Sequence, residues 1–74
     1  MKYLLIQRND IDGWFFCGLY DTNEEAIERA SKLDMGTNLH FEPRNNPWSD
    51  LFDGIPAAWS GHDYYLIIPC EIAP

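Results

Sequence analysis

His40 and His62, Cys17 and Cys70, and twelve acidic side chains are the groups in this 74-residue sequence best able to do chemistry. Their spacing decides whether they do. His62 adjoins Asp63, but neighbours along a strand point to opposite faces, so the two are not a local catalytic pair. A site built from His62 with Asp50, Asp53 or Cys70 would have to be assembled by the fold, and no H-x-x-x-H, C-x-x-C or carboxylate–histidine spacing supports one. The expectation is a protein that is not an enzyme, with no metal and no cofactor, its histidines exposed at strand ends. Cys17 and Cys70 sit inside apolar runs, where reduced thiols behave as small hydrophobes; with the last strand beside the first or second, both face a core beneath a helix. Asp10, Asp12 and Gly13 match the start of a calcium loop, but Trp14, Phe16 and Gly18 stand where further ligands would be, which leaves a hairpin turn. Ser31, Ser49 and Ser60 lack a nucleophile-elbow context, and Gly54 and Gly61 belong to no phosphate-binding pattern.

Twelve acidic against five basic side chains give a formal net charge of −7. Lys2, Arg8, Arg29, Lys32 and Arg44 are dispersed, so no basic patch is present to displace counterions from a nucleic acid, and direct nucleic-acid binding is not expected. The carboxylates fall into three groups: Asp10 and Asp12 on a hairpin tip, Asp21, Glu24, Glu25 and Glu28 at a helix start, and Asp50, Asp53 and Asp63 around a loop-rich segment. Turn chemistry, the helix dipole and capping explain part of each group, and solubility explains a general excess. Groups that share a face would form an acidic array able to dock on a basic protein surface, as a mimic of a nucleic-acid backbone.

The elements that must hold these groups begin with residues 14–20, Trp14-Phe15-Phe16-Cys17-Gly18-Leu19-Tyr20. This uncharged, aromatic run is too short for a helix and reads as a strand buried on both faces. Residues 2–8 form a preceding strand, and the cluster Asn9-Asp10-Ile11-Asp12-Gly13 closes a hairpin between them. Thr22 as N-cap with Glu25 three residues on starts a helix over about 23–34, stopped where Gly36 takes a left-handed conformation. Its buried stripe is Ala26, Ile27, Ala30 and Leu33, and Glu25–Arg29 and Glu28–Lys32 pair on the exposed side. The simplest surface for that stripe is Leu4, Ile6, Phe15, Cys17 and Leu19. Alternation over 37–42 suggests a short strand ended by Pro43. Asn46 and Pro47 suggest one or two helical turns through Phe52. Residues 63–72 form a last strand, with Tyr64, Leu66, Ile68, Cys70 and Ile72 on one face, and Pro69 argues for an open side there.

The expectation is one domain over residues 1–74 of α+β class: an antiparallel or mixed sheet of three to four strands, in chain order β-β-α-β-β, with one helix on one face. Residues 43–63, rich in Pro, Asn, Gly and Asp but carrying Trp48, Leu51, Phe52, Ile55 and Trp59, are read as an ordered lid. Tyr3, Trp14, Phe16, Tyr20, Tyr65 and Ile67 are expected on the sheet face away from the helix. That face is core if the lid covers it, and otherwise an interface for a second copy or a protein partner. The hairpin followed by Asp21-Thr22-Asn23-Glu24-Glu25-Ala26 resembles, in a general way, many small bacterial and phage chains, a likeness that implies no function and transfers no functional residue. With few cysteines, no membrane-length apolar stretch and no signal-peptide pattern after Met1, a reducing cytoplasm is expected. The functional expectation is a small protein-interaction domain, an inhibitor or adaptor, whose carboxylates engage a basic surface of its partner. The alternative is a small-molecule module with an aromatic pocket lined by Trp48, Trp59 and Tyr65 between lid and sheet.

Overall fold

The computed structural model describes residues 1–9, 11–48, 50 and 52–71. The chain is α+β, with strands β1 (Lys2–Asn9) and β2 (Gly13–Tyr20), helix α1 (Asn23–Leu33), and strands β3 (Ala57–Trp59) and β4 (Asp63–Cys70). The four strands form one antiparallel sheet in the spatial order β2-β1-β4-β3. The third strand is therefore residues 57–59. The alternating stretch 37–42 contributes a single bridge, Glu42 to Ala57, closed by two backbone bonds of 3.0 and 3.1 Å. Pro43, lacking an N–H, opens a 3₁₀ turn over Pro43–Asn45 and ends the pairing there.

The hairpin register changes phase once. Leu5 lies opposite Gly18 and Ile6 opposite Phe16, so Cys17 is an extra residue and the strand bulges. Gly18 supplies the backbone the bulge needs, with φ at +136°. Beyond it Tyr20 falls opposite Tyr3 and Leu19 opposite Leu4, so Tyr20 shares a face with Leu5, not with Trp14 and Phe16.

α1 packs on the face that carries Tyr3, Leu5, Tyr65 and Ile67. Leu5, Ala26, Ala30, Ala58 and Tyr65 are fully buried there, with Leu39, Ile67 and the partly buried Cys17, Tyr20, Ile27 and Phe41 around them. Two alanines on α1 leave room for the Tyr65 ring beneath it. This corrects the sequence reading, which set Leu4, Ile6 and Leu19 under the helix and Tyr3, Tyr20, Tyr65 and Ile67 away from it; Phe15, opposite Gln7, does lie on the helix side, as expected. Both sets are apolar, so alternation sorts residues into faces without saying which face the helix takes. Leu33, expected in the buried stripe, is 39% exposed. Cys17 meets the helix-side core, whereas Cys70, opposite Lys2, belongs to the other face.

Thr22 caps α1, its Oγ1 accepting the Glu25 N–H at 3.1 Å. The last turn closes with Gly36 N–H on the Ser31 carbonyl at 2.7 Å, and Met35 as well as Gly36 adopts positive φ, +60° and +82°. Of the two expected ion pairs, Glu28–Lys32 forms at 3.0 Å and Glu25–Arg29 does not. Among the described residues no helix follows Asn46. Its side chain crosses the loop instead, donating from Nδ2 to the Phe52 and Ile55 carbonyls at 2.8 and 3.1 Å and accepting the Trp48 N–H at 2.8 Å. Ser49 and Leu51 of the expected helical turns and Ile72 of the expected last strand lie outside the described residues. β3 pairs only as far as Leu66, so among the described residues β4 has no strand neighbour on that side at Pro69.

Candidate interaction surfaces

On the face away from α1, the loop rings Trp48 and Phe52 meet strand aromatics edge to face, and Trp59 lies tilted against Tyr64 across β3 and β4. Trp14 contacts Trp48 with centroids 4.9 Å apart and Phe52 at 5.9 Å, Trp48 meets Tyr64 at 4.8 Å, and Tyr64 lies against Trp59 at 4.4 Å. Register places these residues together, since Arg8 is opposite both Trp14 and Tyr64, and Tyr64 is opposite Trp59. The Arg8 guanidinium sits 5.5 Å from the Trp14 ring centre, and its Nη1 donates to the Asn9 carbonyl while its Nε is buried without a partner among the described residues. A cation held over an indole face in this way is attracted by the ring quadrupole.

Trp48 and Trp59 thus belong to one aromatic row, but Tyr65 does not. Tyr65 is fully buried on the helix side, where its hydroxyl donates to Asp34 Oδ1 at 3.2 Å. Burial, reinforced by the Asp34 carboxylate, pushes its phenol well above the usual range. Gln7 extends this polar line, donating from Nε2 to Asp63 Oδ2 at 3.0 Å, and its Oε1 faces the Cys17 thiol at 3.9 Å. Burial also raises the Cys17 thiol pKa, opposed in part by the charge of Arg29. Tyr64 is the residue sequence reasoning missed. The signal was the parity of β4, misread once the helix had been set on the wrong face.

The second surface is β2 itself. It is an outer strand of the sheet, and Trp14, Phe15, Phe16 and Leu19 are 44%, 42%, 70% and 47% exposed. Register puts Trp14, Phe16 and Leu19 on one face and Phe15 on the other, so the apolar surface wraps both sides of the edge. Tyr20, expected with them, is turned toward α1 by the bulge, its hydroxyl donating to the Cys17 carbonyl at 3.2 Å.

The acidic groups lie at opposite ends of the sheet. Asp12 and Asp63 are at the end where Asn9 pairs with Gly13 and Asp63, and Asp21, Glu24 and Glu25 follow Tyr20 at the other, separated by about 24 Å for eight strand residues. Asp21 pairs with Lys2 Nζ, whose hydrogen bond and charge hold its carboxyl below the usual range. Glu28 is taken by Lys32, and Asp50 and Asp53 are exposed in the loop after Trp48. Asp10 lies outside the described residues. Asn9, Ile11, Asp12, Trp59, Gly61, His62 and Asp63 line an open cleft of about 530 Å³ between the two turns at the Asp12 end. His40 is exposed and far along the chain from that cleft. Among the described residues no group of three or more His, Cys, Asp or Glu side chains could hold a metal ion, and no helix is long and apolar enough to cross a membrane. No protein-family model, no curated protein and no solved structure matches this chain.

Proposed function

We propose that this chain is a protein-interaction domain, an inhibitor or adaptor, that binds a partner with a basic surface. One observation carries the reading: β2 exposes four large apolar side chains along an uncharged strand that is bracketed by Asp12 before it and Asp21, Glu24 and Glu25 after it. Their exposed area is on the order of 400 Å², taking about 150–250 Å² for a whole aromatic side chain. A patch of that size on a small monomer is commonly a binding surface. The carboxylates at its two ends would steer a cationic partner and fix its position. Because those groups stand at two poles, the reading is of an apolar strip with acidic ends, and mimicry of a nucleic-acid backbone is its less favoured form. In this reading the 43–63 segment acts as a lid through Trp48 and Phe52, which meet Trp14, with Trp48 also on Tyr64, and it leaves Phe15, Phe16 and Leu19 of β2 open. A cytoplasmic setting suits its two free cysteines.

The test is affinity capture followed by binding of the purified partner. The Kd should weaken about tenfold or more between low and moderate salt, and again in Asp12→Asn and Glu24→Gln/Glu25→Gln variants. A partner whose affinity ignores both salt and these substitutions would remove the proposal. The cleft beside Trp59 favours a second reading, a small-molecule module, although Trp48 and Tyr65 do not line it. A thermal-shift screen giving no stabilising ligand, with Trp59→Ala unchanged in the same screen, would end that reading.

A further inference from the structure

The two edges of the sheet are finished differently. Beyond β3 the Glu42 bridge and Pro43 close the ladder. Beyond β2 there is no neighbour among the described residues, and the strand is an open edge with no Lys, no Pro and no inward charge, its Cys17 carbonyl already accepting from the Tyr20 hydroxyl. The bulge at Cys17 and Gly18 is its one device against indiscriminate pairing. The inner edge of β2 shows what the strand accepts. β1 reads Lys-Tyr-Leu-Leu-Ile-Gln-Arg over residues 2–8, an apolar segment with a cation at each end; Lys2 reaches Asp21 and Arg8 covers Trp14.

Resting on the proposed function, we infer that the outer edge of β2 binds by strand addition, taking from its partner one extended apolar segment flanked by Lys or Arg. Charge selects this occupant over a second copy of the chain. In an antiparallel β2–β2 pair, Asp12 of each copy would approach Asp21 and Glu24 of the other, and a parallel pair would set like residues side by side, so carboxylate meets carboxylate in both. Glu24 and Glu25 make no ion pair among the described residues and are free for a cation. Area selects a segment over a broad protein face. The apolar strip supplies roughly half of the about 800 Å² that one side of a standard protein interface buries, which matches a single added strand. Phe15 on one face and Phe16 and Leu19 on the other would then be covered together, while the backbone supplies the hydrogen bonds.

The probe is a synthetic peptide with the sequence of residues 2–8, titrated into the full chain and followed by amide NMR and calorimetry. The expected result is saturable binding that shifts and protects amides of β2. Binding should weaken at least tenfold when alternate peptide amides are N-methylated, at least tenfold when both cations are replaced by glutamate, and about tenfold in Phe16→Lys. Phe16 is 70% exposed, so this variant should keep the wild-type Tm, which separates lost binding from lost fold. Equal binding of the N-methylated peptide overturns strand addition while leaving a salt-sensitive interaction surface standing. Shifts confined to residues outside β2, or no binding at millimolar peptide, overturn it too. Sedimentation showing a dimer that Phe16→Lys dissociates would give the edge to a second copy and refute the inference.

Discussion

Gly18→Ala should be among the most costly single-atom additions to this chain. At φ +136° an L side chain is strained, an effect of about 1–3 kcal/mol. A Cβ placed there would also stand 3.1 Å from the Tyr20 hydroxyl and 3.3 Å from its ring. Tyr20 cannot move freely, because its ring packs against the helix-side core and its hydroxyl holds the Cys17 carbonyl. Displacing it forfeits that bond, about 0.5–1.5 kcal/mol. Together these give about 1.5–4.5 kcal/mol, a large part of the roughly 4–11 kcal/mol expected for a domain this size. Urea denaturation read by tryptophan fluorescence gives the loss directly as a change in midpoint at constant m, and the Tm should fall by about 4–8 °C for each kcal/mol. Gly36→Ala is the internal reference: φ is +82° but nothing lies within 4 Å of its Cβ, so it should show backbone strain alone. A Gly18→Ala loss under about 1 kcal/mol, or one no larger than Gly36→Ala, would show that the bulge is not fixed where the register puts it. The assignment of Tyr20 to the core and Leu19 to the open face would fall with it.

Met35→Gly should stabilise the protein by up to about 1 kcal/mol in the same denaturation assay, since Met35 is 97% exposed at φ +60° and contributes strain without packing. Asn46→Ala removes a buried side chain that holds two carbonyls and one N–H, and should destabilise by about 1–3 kcal/mol while increasing exchange of the Trp48 amide. For Tyr65, the folded phenol has a raised pKa, so its contribution is fully present below the unfolded value of about 10 and is lost as pH rises above it. Tyr65→Phe should lose about 1 kcal/mol near neutral pH with the Asp34 hydrogen bond. Its stability should then fall less steeply than wild type above pH 10, and identical slopes would refute a buried, neutral phenol.

Local signals in the sequence were sufficient where the physics is local. The hairpin, the Thr22 cap and the left-handed stop at Gly36 depend on residues within a few positions of each other, and each formed where its residues stand. The α+β class followed from the same signals. The candidate surfaces depended on more distant choices. Alternation divided β1, β2 and β4 into two apolar sets of similar size, and nothing in the order of residues states which set lies under α1. That choice rests on Ala26 and Ala30 accommodating Tyr65 and Leu5, a fit between side chains nearly forty residues apart in sequence for Ala26 and Tyr65. The bulge then inverted the phase of β2 at a glycine that sequence periodicity treats as silent, moving Tyr20 inward and leaving Leu19 outside. The third strand formed at 57–59 and not at 37–42, because pairing with Tyr64 to Leu66 depends on what β4 leaves open. The excess of carboxylates was written in the composition; that Asp12 and Asp63 stand at one end of the sheet and Asp21, Glu24 and Glu25 at the other was decided by the eight-residue strands, which carry the hairpin turn and the helix start to opposite poles.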